Sequence, residues 1–260
     1  MGIVCIVLPG EQQRALVNAL QKATSKVELV IVTKPRVNTD GRMHRISAAV
    51  RSGAIFSELW YGALLRLSGK TRAVLGCLRA SGLPSASPGY DAPVINVDDV
   101  NDAETEARLK QLSPDVIVLW TPSILRANIL ATAKKVINYH TGILPYYRGS
   151  VANQFAVLHR DTDHIGSTIH YVSPGVDRGD IIAQLYLDIA KPPRQAFREL
   201  NDASLNLYID IAKRVLAGED VAAHAQSQEE GEFYRLSQWT NKMRWKLGRQ
   251  LLRWERTGRF

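Results

Sequence analysis

The sequence predicts an α/β fold: a mainly parallel β-sheet with helices on both faces, followed by a short helical C-terminal extension. Two observations lead to this prediction. Short apolar runs at residues 3–8, 27–32, 94–97, 115–120 and 136–140 alternate with segments of helical character. Most of these runs are continuously apolar, which is typical of strands buried on both faces, as in parallel sheets. The 260 residues suffice for one large domain, or for one domain with a small appendage.

The first half of the chain begins with a β-α-β unit, because apolar residues recur at helical spacing between the strands at 3–8 and 27–32. Residues 42–80 predict one or two amphipathic helices. Their apolar positions near helical spacing are Ile46, Val50, Leu59, Ala63 and Leu67. A loop rich in glycine and proline at 81–92 leads to the third strand.

The second half continues the alternation and ends in a long helix. After the third strand, helices are predicted at 102–112, 124–133, 151–160 and 194–217, and two further strands at 167–172 and 181–187. We therefore divide the chain into a domain at 1–192 and a C-terminal helix with a basic amphipathic tail at 193–260. The domain contains a basic helical insertion at about 41–92.

Composition indicates a globular protein with an anionic partner. Hydrophobic residues make up 45% and charged residues 22%, which excludes a disordered chain. Two cysteines are too few for a disulfide framework, and no secretory leader pattern opens the chain, so we expect a soluble cytoplasmic protein. The net charge of +8 favours nucleic acid, a phosphorylated small molecule or an anionic membrane surface as partner.

Polar residues end the fifth predicted strand, at the edge where parallel sheets bind ligands. Because side chains alternate along a strand, Asn138 and His140 point to the same side. An amide can hydrogen-bond a carbonyl oxygen that gains negative charge, and an imidazole can take a proton from an attacking amine. The loop at 175–180 offers Asp177 and Asp180 to orient that imidazole. Spacing alone favours a structural role for these residues over a catalytic one.

The surrounding motifs resemble the folate-dependent formyltransferase family, which includes methionyl-tRNA formyltransferase, glycinamide ribonucleotide transformylase and the sugar N-formyltransferases. The similar block runs from about residue 116 to 184, and a weaker β-α-β match extends it to the N-terminus. In order, the motifs are N-x-H at 138–140, L-P-x-x-R-G at 144–149, G-x-T-x-H at 166–170 and D-x-G-D at 177–180. The resemblance implies a Rossmann-like sheet.

The resemblance to the formyltransferase family also implies roles for residues at the catalytic centre. Asn138 would hydrogen-bond the formyl oxygen, and His140 would act as general base or as a cation that stabilises the tetrahedral intermediate. Asp177 matches the family's catalytic carboxylate, whereas Asp180 has a structural or substrate role. His170 matches a recurrent family histidine, for which we favour the role of a satisfied core residue.

The implied formyl donor is 10-formyltetrahydrofolate, with no metal. Its pterin is expected to lie against the backbone of the loop at 123–125 and the loop at 172–176. The cofactor-binding candidates are Ser123, Ile124, Leu125, Val172 and Val176. One departure from the family pattern is Gly142, where many members carry serine. A hydroxyl contact is therefore missing there, or water or backbone replaces it.

The acceptor is expected to be a nucleotide-linked amino sugar for surface polysaccharide synthesis, such as that of lipopolysaccharide. The tRNA enzyme carries a sizeable β-rich C-terminal domain, whereas here a little over 40 residues follow the helix at 194–217. The purine enzyme has a glycine-rich phosphate loop after its first strand, whereas residues 9–13 place a carboxylate there. The substrate-binding candidates are Arg148, Gly149, Ser150 and Asn153. For Ser150 and Asn153 a helix-capping role fits equally well.

Two other functions stay open, a methionyl-tRNA formyltransferase-like enzyme and a non-catalytic folate- or nucleotide-binding protein on the same fold. The tail also has two interpretations. It carries an apolar stripe of Trp239, Met243, Leu247, Leu251 and Trp254, flanked by basic residues. Packing on the domain or in a homodimer is favoured, and the alternative is an interfacial helix at the inner face of an anionic membrane.

Overall fold

The computed structural model describes residues 2–34, 53–83, 87–227 and 231–260. Within these residues it contains nine strands. They are β1 (Ile3–Val7), β2 (Val27–Thr33), β3 (Val94–Val97), β4 (Val116–Trp120), β5 (Lys135–His140), β6 (Tyr147–Gly149), β7 (Gly166–Tyr171), β8 (Ile181–Tyr186) and β9 (Glu232–Tyr234).

Seven of these strands form the central sheet, in the order β3-β2-β1-β4-β5-β7-β8. The first five are parallel to their neighbours, and β7 and β8 complete the sheet as antiparallel strands. The mainly parallel sheet predicted from the sequence is therefore confirmed. Because the chain runs outward from β1 to β3 and returns to the other side at β4, the topological switch point lies between β1 and β4, where parallel sheets bind ligands.

Eight α-helices lie within the described residues. They are α1 (Glu11–Thr24), α2 (Ile55–Leu67), α3 (Gly69–Leu75), α4 (Ala103–Leu112), α5 (Ala127–Leu130), α6 (Ala152–His159), α7 (Pro193–Leu216) and α8 (Asn241–Thr257). Local chemistry determines where several of them begin. Asp102 accepts a hydrogen bond from the Thr105 amide at the start of α4, and proline occupies the first turn of α7, where no intrahelical donor is needed.

Two predicted helices differ from the structure. The helix predicted at 124–133 is reduced to the single turn of α5. The Asn101 side chain holds the chain just before it, because it donates to the Ile124 carbonyl and accepts from the Arg126 amide. The second difference concerns the amphipathic helices predicted at 42–80. Their apolar positions Leu59 and Leu67 lie on α2 but are exposed, and no residue of α2 is fully buried. Ile46 and Val50 lie outside the described residues.

Tyr208 connects α7 to the sheet directly before the polar end of β5. Its hydroxyl accepts a hydrogen bond from the Leu119 amide at 3.0 Å and donates to the Ile137 carbonyl at 2.8 Å. The ring is fully buried and stacks on Tyr139 with centroids 5.9 Å apart. Because Leu119 and Asn138 are register partners in β4 and β5, this hydroxyl supports the strand that carries the site.

Tyr208→Phe is expected to lower the free energy of unfolding by about 1–3 kcal/mol, because the buried Leu119 and Ile137 groups lose a hydrogen-bond partner. Urea denaturation would measure the change. Tyr186→Phe is the matched control, since Tyr186 is exposed. Equal stabilities of the two variants would show that the buried hydroxyl contributes nothing.

The C-terminal segment packs on the domain. Trp239, Leu247, Leu251 and Trp254 are buried, and α8 contacts α2, α3, α6 and α7. The favoured packing on the domain is therefore observed for these four side chains, while membrane contact through the basic tail stays a prediction. The segment also contributes β9, which pairs in parallel with β6 in a second, two-stranded sheet. The division of the chain at residue 192 stays a prediction.

No helix within the described ranges is long and apolar enough to cross a bilayer.

Candidate active site

Asn138 and His140 end β5 at the carboxyl edge of the sheet, and both side chains are buried beneath a cavity. The loop after β7 brings Asp177 to them. The His140 Nδ1 atom lies 3.6 Å from Asp177 Oδ2, and the His170 Nε2 atom lies 3.8 Å from Asp177 Oδ1. The structure thus places together the three catalytic candidates, which are separated by up to 39 residues in the chain.

The backbone holds Asp177 in this position. The residue adopts the left-handed conformation, with φ +52°, and its carboxylate accepts a hydrogen bond from the Gly149 amide at 2.8 Å. Gly179 lets the loop approach β7, because a Cβ there would lie 1.7 Å from the Tyr171 carbonyl oxygen. Asp180 is exposed and does not line the cavity. Of the two carboxylates left open by the sequence, Asp177 therefore faces the imidazoles.

His170 orients the Asn138 amide. Its Nδ1 donates to the Tyr171 carbonyl at 2.7 Å, so in the neutral ring Nε2 accepts from Asn138 Nδ2 at 3.0 Å. Burial lowers the pKa of His170 from 6.5 to about 4, although Asp177 opposes the shift, so the ring is neutral at pH 7. His170 is a satisfied buried residue, as expected, and its partner is the proposed oxyanion donor.

A backbone carbonyl positions His140. Because a carbonyl oxygen can only accept, His140 Nε2 donates to the Tyr147 carbonyl at 2.8 Å. Gly142 leaves the room for this contact: a Cβ there would lie 2.8 Å from His140 Nε2 and 2.5 Å from the Ala152 Cβ. A serine side chain at this position would therefore displace its neighbours in this chain.

Gly142→Ser is expected to lower kcat about tenfold or more and to reduce the free energy of unfolding by about 1–3 kcal/mol, because the added atoms overpack the wall behind His140. Steady-state kinetics and urea denaturation would measure both effects. Gly89→Ser is the control, since no atom lies within 4 Å of a Cβ at that exposed position. Full activity of Gly142→Ser would contradict the close packing inferred for His140.

The cavity above these residues measures about 750 Å³, within the usual range for ligand sites. Its walls contain all five cofactor-binding candidates, Ser123, Ile124, Leu125, Val172 and Val176. Asn101 fixes the loop at 123–126, which carries three of these candidates, by its hydrogen bonds to the Ile124 carbonyl and the Arg126 amide. The opening also includes residues 9–13, at the switch point between β1 and β4.

The four substrate-binding candidates differ in their positions. Gly149, Ser150 and Asn153 line the cavity, whereas Arg148 does not. Arg148 alternates with Tyr147 and Gly149 along β6, and its guanidinium donates to the Gly231 carbonyl at 3.1 Å. Asn153 has its amide bonded on both sides to the Gly166 backbone, at 2.7 and 2.9 Å. Gly149 and Ser150 are thus the candidates best placed for an acceptor.

The sequence did not predict that the C-terminal segment lines the cavity. Phe233, Tyr234, Arg235 and Leu236 are all in its wall. Ser150 donates from its backbone amide to the Tyr234 carbonyl at 2.9 Å, and a Cβ on Gly149 would lie 2.5 Å from the Phe233 ring. The only sequence signal was a glycine followed closely by an aromatic pair, which is too weak to predict a three-residue strand.

Within the described part of the chain, no group of three or more His, Cys, Asp or Glu residues could hold a metal ion.

Comparison with known proteins supports the interpretation of this geometry. The chain is 32% identical over 146 residues to a methionyl-tRNA formyltransferase of Limosilactobacillus fermentum, a match that covers 55% of this chain and 46% of that protein. The chain thus spans about half the length of the curated relatives it matches.

Solved structures share the fold. An N-formyltransferase from Helicobacter canadensis, in complex with folinic acid and dTDP-3-aminofucose, is 14% identical with a TM-score of 0.54; the match covers 95% of this chain and 79% of that one. A phosphoribosylglycinamide formyltransferase from Anaplasma phagocytophilum is 17% identical with a TM-score of 0.54. That match covers 90% of this chain and 99% of the other.

Residues 3–207 match the family described as formyl transferase, so the chain belongs to that family.

Proposed function

We propose that the protein is an N-formyltransferase that moves a formyl group from 10-formyltetrahydrofolate to the amine of a nucleotide-linked amino sugar used in surface polysaccharide synthesis. The observation that supports this most is the convergence of Asn138, His140 and Asp177 beneath one cavity. A protein that only binds a ligand has no need for a buried amide, imidazole and carboxylate together.

In this proposal Asn138 stabilises the negative charge that develops on the formyl oxygen. His170 holds one amide hydrogen, which leaves the second Nδ2–H as a fixed donor for the substrate. The Oδ1 atom is buried and has no hydrogen-bond partner among the described residues, which suits a polar group kept for a ligand. A donor fixed before the reaction needs no reorganisation when charge develops.

His140 and Asp177 form the second part of the proposed centre. The two ring nitrogens face the Tyr147 carbonyl and the Asp177 carboxylate. A doubly protonated ring could donate to both oxygens, so the contacts favour a cation that stabilises developing negative charge over a base with a free lone pair. The 3.6 Å separation leaves room for the pair to tighten when substrates bind. Formyl transfer between two nitrogens removes one proton from the acceptor and supplies one to the leaving nitrogen, and we assign both proton movements to this pair.

The donor and the acceptor are assigned to different walls. Ser123, Ile124, Leu125, Val172 and Val176 all line the cavity, and this mainly apolar surface suits a flat ring system. When bound, the folate supplies the activated formyl group. Gly149 and Ser150 lie on the wall assigned to the acceptor.

Charge favours a phosphorylated acceptor. Arg79, Arg178 and Arg235 line the cavity, against the carboxylates of Glu11 and Asp177. Because Asp177 is assigned to catalysis, the cationic excess elsewhere in the wall suits the diphosphate of a nucleotide sugar. We assign the reaction to the cytoplasm, where nucleotide sugars are made.

A second function, formylation of methionyl-tRNA, is favoured by the names of the curated relatives and by the net charge of +8. Release of tetrahydrofolate from 10-formyltetrahydrofolate, followed spectrophotometrically, would separate the alternatives. We expect turnover with at least one member of a panel of nucleotide-linked amino sugars. Turnover with methionyl-tRNA alone would support the second function, and tight folate binding without turnover on any amine would support a non-catalytic binding protein.

A further inference from the structure

Helix α2 carries an apolar face that is exposed among the residues that the structure describes. The exposed fractions of Phe56, Leu59, Trp60 and Leu67 are 80%, 66%, 63% and 84%. Their spacing along the helix puts them on one face. Contiguous apolar surface of this kind marks an interaction site in most proteins that expose it.

The outward direction of this face follows from how α2 is attached. On its other side α2 packs against α8, and the Glu58 carboxylate accepts hydrogen bonds from the Asn241 amide at 3.1 and 3.2 Å. This contact uses a carboxylate at the N-terminus of α8, where it also complements the helix dipole. The packing on α8 therefore leaves the apolar face directed away from α8.

Basic residues accompany the face. Arg66 and Lys70 are exposed at the C-terminal end of α2 and in the helix after it. Within the described part of the chain neither of the two forms an ion pair. Glu58, the one acidic residue between 53 and 72, is occupied by Asn241.

We infer that this face, Phe56, Leu59, Trp60 and Leu67 with Arg66 and Lys70, binds the surface of an anionic lipid bilayer, with α2 lying in the interfacial plane. A helix of 13 residues is about 20 Å long and fits flat on such a surface. Phenylalanine, tryptophan and leucine enter the headgroup boundary, and the cations contact anionic headgroups.

Charge favours this occupant over a second copy of the chain. A symmetric pair of α2 faces would bring basic residues into one interface with no free carboxylate from this segment to neutralise them. An anionic bilayer supplies the opposite charge over the whole face. The inference does not depend on the proposed function, because no α2 residue lines the catalytic cavity.

The test is co-sedimentation of the full chain with vesicles of phosphatidylcholine alone, or of phosphatidylcholine mixed with phosphatidylglycerol. We expect binding to the mixed vesicles that weakens as salt is added. Phe56→Ser combined with Trp60→Ser should weaken it at least about tenfold, because two side chains no longer enter the bilayer. Arg66→Gln combined with Lys70→Gln should weaken it roughly tenfold or more, since each cation near an anionic surface contributes.

Matched controls are available on other surfaces. Tyr186→Ser removes an exposed aromatic ring from β8, and Lys22→Gln combined with Lys26→Gln removes two exposed cations near the end of α1. Both controls should bind vesicles like the unchanged protein. Equal vesicle binding by the α2 variants would overturn the inference, as would no preference for the anionic vesicles. So would light scattering that shows a dimer converted to a monomer by Phe56→Ser and Trp60→Ser, because the face would then belong to a second copy.

Discussion

Replacing His140 with alanine is expected to lower kcat about 100- to 10,000-fold, the usual range for loss of a positioned proton-transfer group. The imidazole is the group between the Tyr147 carbonyl and the Asp177 carboxylate, so its removal breaks the connection between them. Single-turnover measurement of formyl transfer, with the acceptor found in the panel assay, would give the effect on the chemical step.

A second substitution separates protonation from positioning. His140→Gln can still donate to the Tyr147 carbonyl but cannot carry a proton, so we expect it to be nearly as inactive as His140→Ala. His224→Ala is the control, since His224 is exposed and lies outside the cavity wall. If His140→Gln retained most of the activity, the imidazole would act only by holding its neighbours in place. Circular dichroism should show all three variants folded.

The central sheet could be predicted from the sequence because its strands leave a strong signal. Strands such as β1 are buried on both faces and therefore read as continuous apolar runs. Strands β6 and β9 leave no such signal in the sequence. Each has three residues, and they pair across 85 positions, as in the register of Tyr147 with Glu232. Their pairing depends on contacts that no local pattern contains.

Periodicity predicts that a helix has an apolar face, but it does not reveal what covers that face. The apolar stripe of α8 is buried, whereas Leu59 and Leu67 on α2 are exposed. From the sequence, the tail was the candidate for a membrane surface and α2 was not. The distinction arises from packing, because α8 lies between α2 and the rest of the domain and is therefore covered.

The candidate site could be predicted in part. Strand alternation placed Asn138 and His140 on one side, but the approach of Asp177 followed from the family resemblance and from no local pattern. The Gly149 amide and the Tyr147 carbonyl were not predicted, since backbone groups carry no sequence signature. The orientation of Arg148 away from the cavity follows from the alternation of β6, a strand too short to be recognised beforehand.

The Asp177→Asn variant tests the carboxylate while its backbone contact is kept. The amide oxygen of asparagine can still accept from the Gly149 amide, which Asp177 does at 2.8 Å, so the loop and the fold should persist. What is lost is the negative charge 3.6 Å from His140 Nδ1 and 3.8 Å from His170 Nε2. Because that carboxylate orients His140 and can pair with the ring when the ring carries the transferred proton, we expect kcat to fall about 100-fold or more.

The same loop supplies the control for this variant. Asp180 is three residues away, is exposed and lies outside the cavity wall, so Asp180→Asn removes an identical charge without changing the contacts of His140. We expect Asp180→Asn to keep kcat within about twofold of the unchanged enzyme, since a surface charge is largely screened by solvent. A folded Asp177→Asn variant with full activity would remove the carboxylate from the mechanism. Equal falls in kcat in both variants would instead indicate a general effect of the loop, and not a specific contact of the Asp177 carboxylate with His140.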